Sequence, residues 1–83
     1  MLLTENQVRS IEKYVKKLVR RQPFWLKEMF QQGQIFISLD DDGSINLGVS
    51  DGVNKGTADQ AAALIAKYMD KNPAPNLIKT VIQ

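Results

Sequence analysis

Few side chains in this sequence can do chemistry at neutral pH, and the two most versatile are missing. It contains no histidine and no cysteine, so there is no imidazole base, no thiolate nucleophile and no soft metal ligand. A serine nucleophile would need some other base, and Ser10, Ser38, Ser44 and Ser50 stand in no nucleophile-elbow context. Asp40, Asp41 and Asp42 are consecutive at what reads as a hairpin tip. A tip open to solvent does not raise a carboxylate pKa by burial. The expectation is a chain that is not an enzyme and carries no cofactor and no metal.

Two motifs resemble ion-binding loops and fail on their spacing. Asp40, Asp42, Gly43, Ile45 and Asn46 fit interior positions of a calcium-binding helix–loop–helix loop, but its first position would be Ser38 and its last Val49. The opening carboxylate and the closing bidentate glutamate are therefore both absent, and the flanks read as strands. Lys55-Gly56-Thr57 inverts the glycine-before-lysine order of a phosphate loop. A free helix N-terminus over Gly56 to Asp59 could hold an anion weakly, but Asp59 then places a carboxylate beside it.

The remaining chemistry is charge. Arg9, Lys13, Lys16, Lys17 and Arg20 fall within one stripe when projected at ~100° per residue, with Glu5 and Glu12 at its edge. Surface helices commonly carry cations on their solvated face, yet this stripe has few acidic partners one turn away. It is a candidate face for a polyanion or a protein partner. No helix-turn-helix, zinc, RNP or KH signature accompanies it.

The stretch that organises the chain is Gln34 to Ser50, QIFISLDDDGSINLGVS. Ile35, Ile37 and Leu39 alternate with polar or aromatic residues, as do Ile45, Leu47 and Val49, which is the period of half-buried strands. Strands over 34–40 and 44–50 are expected. Pairing Leu39 with Ile45, Ile37 with Leu47 and Ile35 with Val49 keeps all six apolar side chains on one face. That register leaves a three-residue Asp41-Asp42-Gly43 loop with glycine at its left-handed position. It also sets Phe36 opposite Gly48, where a ring can cover bare backbone.

The first helix, expected over 5–21, opens with a Thr4-x-x-Gln7 capping box and a Leu3/Val8 staple. Val8, Ile11, Tyr14, Val15, Leu18 and Val19 form its apolar side. Pro23 ends it near Gln22 and is expected to be the first residue of a short helix over 24–32, or else to kink one longer helix. Trp25, Leu26, Met29 and Phe30 would pack inward, with Gly33 as the stop. Phe24 fits that stripe least and is, with Phe36, a candidate exposed aromatic. A third helix is expected over 58–71, capped by Thr57 with Gln60. Its core stripe is Ala61, Leu64, Ile65, Tyr68 and Met69, and its alanines would allow close approach to the sheet. Residues 77–82 form a C-terminal strand or short helix, the strand favoured because a lone hairpin is marginal in water.

The fold class expected is thus α+β and two-layered, in one domain spanning 1–83. Net charge is +2, with no Cys, 43% hydrophobic and 24% charged residues, an ordinary globular balance. Charge is uneven: residues 1–33 carry seven cations and three anions, whereas 34–56 carry four aspartates and Lys55. The polar Thr4-Glu5-Asn6-Gln7 so near the start reads against a signal peptide, and no apolar run approaches a membrane span. The expected location is cytoplasmic and no membrane partner is expected. The function expected is a small non-catalytic binding or regulatory module acting through protein–protein contact. The alternative is a nucleic-acid-binding accessory protein using the basic face of the first helix. Exposed sheet edges or the aromatic segment would support a homodimer. If the acidic tip is only a turn, millimolar calcium leaves the melting temperature unchanged. A clear rise in a thermal melt would restore the calcium loop, since a ligand binding only the folded state stabilises it.

Overall fold

A computed structural model describes residues 3–40 and 44–74. In chain order it holds α1 (Glu5–Arg20), α2 (Phe24–Gln31), β1 (Ile35–Leu39), β2 (Ile45–Val49) and α3 (Lys55–Lys71). The expected C-terminal element at 77–82 and the left-handed position at Gly43 lie outside the described residues.

α1 begins as the sequence requires. The Thr4 hydroxyl accepts the Gln7 N–H at 3.2 Å while the Gln7 side-chain carbonyl accepts the Thr4 N–H at 2.8 Å. Two amides that a helix leaves unpaired are thereby satisfied. The other end is tighter than expected. The helix stops at Arg20, with Arg21 as its cap, and Gln22 turns inward. Its buried side chain donates Nε2 to the Leu18 carbonyl at 3.1 Å, beside the longer bond that carbonyl accepts from the Arg21 N–H at 3.3 Å.

The chain then breaks into a second helix rather than continuing with a kink. Pro23 is the residue before that helix, with ψ of 157°, and not its first turn as expected. Proline lacks an N–H but keeps its carbonyl, which accepts from both Leu26 and Lys27 at 3.0 Å. α2 ends in a Schellman motif: Gln34 N–H reaches the Met29 carbonyl at 2.9 Å and Gly33 N–H the Phe30 carbonyl at 3.2 Å. Gly33 holds φ of 74° there, the left-handed conformation that only glycine adopts without strain.

The hairpin has the expected antiparallel register, Leu39 with Ile45, Ile37 with Leu47 and Ile35 with Val49. Its strands are a residue shorter at each end than expected, at 35–39 and 45–49. α3 starts earlier than Thr57. Asn54 is its cap, its side-chain oxygen accepting the Thr57 N–H at 2.8 Å. Asp59 consequently sits beyond the first turn, which contains no acidic residue.

Leu18, Leu26, Ile35, Ala61 and Ile65 form the buried centre, with Tyr14, Met29, Phe30, Ile37, Leu47 and Tyr68 packed around it. All three helices and the inner face of the hairpin meet there, giving two layers. Ala61 is fully buried, in one cluster with Leu18 of α1 and Ile35 of β1. Trp25 departs from the expected inward packing: it is 38% exposed, while Leu26 beside it is 0% exposed.

Tyr14 ties α1 to the end of α3. Its hydroxyl donates to the Asn72 carbonyl at 2.5 Å, and its ring lies 6.1 Å from that of Tyr68. Partial burial, and secondarily the neighbouring Tyr68, raises the Tyr14 pKa above its ordinary value. A raised folded-state pKa means that this contribution is fully present below the unfolded value near 10 and fades as pH rises through the folded one. Tyr14→Phe should therefore destabilise by about 0.5–1.5 kcal/mol at pH 7. The difference from the parent should shrink above pH 10 in denaturant titrations. A gap that stays constant across that range would contradict the hydrogen bond.

Candidate binding surfaces

Each expected site residue can now be placed. Arg9, Lys13, Lys16, Lys17 and Arg20 are all exposed along α1. Lys13, Lys16, Lys17 and Arg20 line one shallow hollow of about 400 Å³, joined by Arg21, which the stripe projection had left out. Arg9 lies farther along, in a neighbouring hollow with Lys13 and Lys16. Among the described residues the single ion pair is Arg9 with Glu5 at 4.0 Å, both side chains well exposed. At such exposure the pair is worth little. Lys17 and Arg20 stand in the last turn of α1, where cations also offset the helix dipole. Lys13 and Lys16 lie outside that turn.

The two aromatics have different explanations. Phe24 is 73% exposed at the start of α2, one residue past Pro23, and no packing role accounts for it. Phe36 is 51% exposed, yet its ring lies over Gly48, its cross-strand partner, so closely that a Cβ on Gly48 would overlap it. That contact assigns Phe36 to covering the outer face of the hairpin. On the acidic tip, the Asp40 carboxylate accepts from the Asn46 side chain at 2.6 Å, and the Asp40 N–H donates to the Ser44 carbonyl at 2.9 Å. The described part of the acidic stretch is thus engaged in closing the hairpin. No metal-holding group of His, Cys, Asp or Glu side chains occurs among the described residues.

Sequence reasoning missed an apolar concavity. An open hollow of about 650 Å³ lies between the N-terminal half of α1 and the far end of the hairpin. Val8, Ile11 and Val15 form one wall, Ile37, Leu39 and Ile45 the other, and Glu12, Lys16 and Asp40 also line it. Ile37, Ser38 and Leu39 of β1 and the following Asp40 line it, so it runs along that strand.

The register says what β1 offers there. Asp40 N–H bonds to Ser44 and Ser50 N–H to Gln34, so the even-numbered residues of β1 occupy the hydrogen-bonded pairs. In an antiparallel ladder the alternate residues turn their N–H and C=O away from the partner strand. Those are Ile35, Ile37 and Leu39. Among the described residues the sheet has two strands only, and no bond outside the hairpin reaches the main chain of Ile37 or Leu39.

Comparison with known protein families, curated proteins and solved structures finds no match to this chain. No helix among the described residues is long and apolar enough to cross a membrane.

The assignment of Phe36 is directly testable. Ring currents should shift the Gly48 Hα resonances upfield, and Phe36→Ala should abolish that shift and cost about 0.2–1 kcal/mol in stability. Gly48 resonances at ordinary positions in the parent protein would return Phe36 to the list of free contact residues.

Proposed function

We propose that this protein is a small non-catalytic binding module that works through protein–protein contact, receiving an extended segment of its partner along the outer edge of β1. The observation that carries this reading is the coincidence of an apolar hollow with a strand edge that nothing pairs with among the described residues. An incoming strand would pair with the outward N–H and C=O groups of Ile37 and Leu39. Alternate side chains of that strand would enter the hollow against Val8, Ile11 and Val15. Strand addition of this kind draws its affinity from main-chain bonds and its selectivity from the pockets that receive alternate side chains. A second copy of the chain, pairing edge to edge, is one partner able to do this. The absence of histidine and cysteine supports the non-catalytic reading.

The test uses amide hydrogen exchange and chemical-shift mapping with a panel of octapeptides alternating Val or Ile with Ser or Thr. In the free monomer the Ile37 and Leu39 amides should exchange fast. A bound peptide should slow both, and should shift the Val8, Ile11 and Val15 methyl resonances. Val15→Asp should weaken binding about tenfold or more, because it places a charge against an apolar wall. Light scattering at high concentration distinguishes a self-paired dimer from a monomer. Slow exchange of both amides in the free monomer would show the edge already occupied and end the proposal, as would peptide-induced shifts confined to α2.

A further inference from the structure

A different surface carries a second kind of partner. Lys13, Lys16, Lys17, Arg20 and Arg21 converge on one hollow, and none of them forms an ion pair among the described residues. From Arg9 to Arg21 the cations extend over about 18 Å of helix at ~1.5 Å per residue. Three residues past Arg21, and so within about 10 Å of chain, comes Phe24, 73% exposed, followed by the partly exposed Trp25. Lys27 is exposed one turn beyond Phe24, on the same helical side.

Solubility accounts for cations on an outer helix face, and the helix dipole for those in the last turn of α1. Neither accounts for five cations converging on one hollow with no acidic partner among the described residues, nor for a phenylalanine left in water at the end of a cationic track. Single-stranded nucleic acid accounts for both. Its phosphates follow a line of positive charge, and its unpaired bases stack on exposed rings. A duplex would use the cations alone, because its bases are already stacked on one another.

We propose that the basic face of α1, continued by Phe24, Trp25 and Lys27 of α2, binds single-stranded nucleic acid without sequence preference. The cations of α1 take the phosphates and Phe24 takes a base. This surface shares only Lys16 with the hollow beside β1 and is read by a different measurement, so either can fail without the other.

The experiment is a fluorescence-anisotropy titration of the whole chain with a labelled 15-mer of thymidine, run beside a 15-base-pair duplex and anionic lipid vesicles. With about five phosphates neutralised on a single strand, log affinity should fall with log salt at a slope near −3.5. Binding should weaken about a hundredfold between roughly 50 and 200 mM salt on that slope. Lys13→Ala with Lys16→Ala should make the slope shallower by about 1.4. Phe24→Ala should weaken single-strand binding about fivefold or more, since a stacked base contributes ~1–3 kcal/mol, and leave the slope unchanged. Its high exposure makes the substitution harmless to the fold, which circular dichroism checks. Trp25 fluorescence should quench on binding. No single-strand binding below ~100 μM at the lowest salt, weaker than ordinary non-specific affinity, overturns the proposal. A Phe24→Ala variant that binds the thymidine 15-mer as well as the parent overturns it too, as does preference for the duplex or for vesicles.

Discussion

A two-stranded hairpin has one face to bury and is marginal by itself in water, so the three helices serve to cover Ile35, Ile37 and Leu47. The cover is assembled at one end. Ile35 is almost wholly buried, in a cluster with Leu18, Leu26, Ala61 and Ile65, each drawn from the inner side of a different helix or from the same turn of α3. At the other end Leu39 and Ile45 are only partly covered. The hairpin is therefore anchored where it leaves α2 and open where it turns. The apolar hollow along β1 is the direct consequence of that imbalance.

The anchor depends on how the chain passes from α1 to α2. Pro23 removes an N–H and disfavours helical geometry before it, so α1 must end near Gln22. The buried Gln22 carboxamide then donates to the Leu18 carbonyl, which also accepts the Arg21 N–H, so a polar side chain carried inside keeps a partner. Only then can α2 start with its short axis redirected, placing Leu26 in the core. With eight residues α2 has about two turns. It buries Leu26 fully and Met29 and Phe30 partly, which leaves Phe24 and Trp25 on the side away from the core.

What could be read from the sequence follows from the range of the forces involved. The hairpin register was legible because its period-two pattern and its turn chemistry make the same demand, and a slip by one residue would expose every apolar side chain. Thr4 was legible because its box is closed within four residues. The start of α3 was not, because Asn54 and Thr57 are both able to cap and stand three residues apart. Asparagine caps at least as well as threonine, and capping there adds a turn through Gly56 despite the ~1 kcal/mol that glycine costs in a helix. Trp25 was misplaced because a helical projection ranks faces by apolarity and does not know how wide a face the core can receive. The hollow beside β1 has no local signature at all, being defined by the distance between two elements with residues 21–34 of the chain between them. The basic face was legible as a stripe, but Arg21 joins it only because the chain turns there.

α1 emerges as a wall shared by two dissimilar surfaces, with Lys16 lining both the apolar hollow and the basic one. This is what a long amphipathic side chain does well: its methylenes can cover apolar surface while its ammonium stays in water. Sharing a residue need not couple the two surfaces strongly. The ammonium is solvated, so a charge arriving on either side acts through high dielectric and is screened within about 8–10 Å at ordinary ionic strength. The apolar wall of Val8, Ile11 and Val15, in turn, responds to contact and hardly at all to salt. Occupation of the β1 edge and occupation of the cationic track should thus be nearly additive in free energy. The two proposed surfaces can coexist on so small a protein because the forces that would operate at them, short-range burial and screened charge, scarcely overlap.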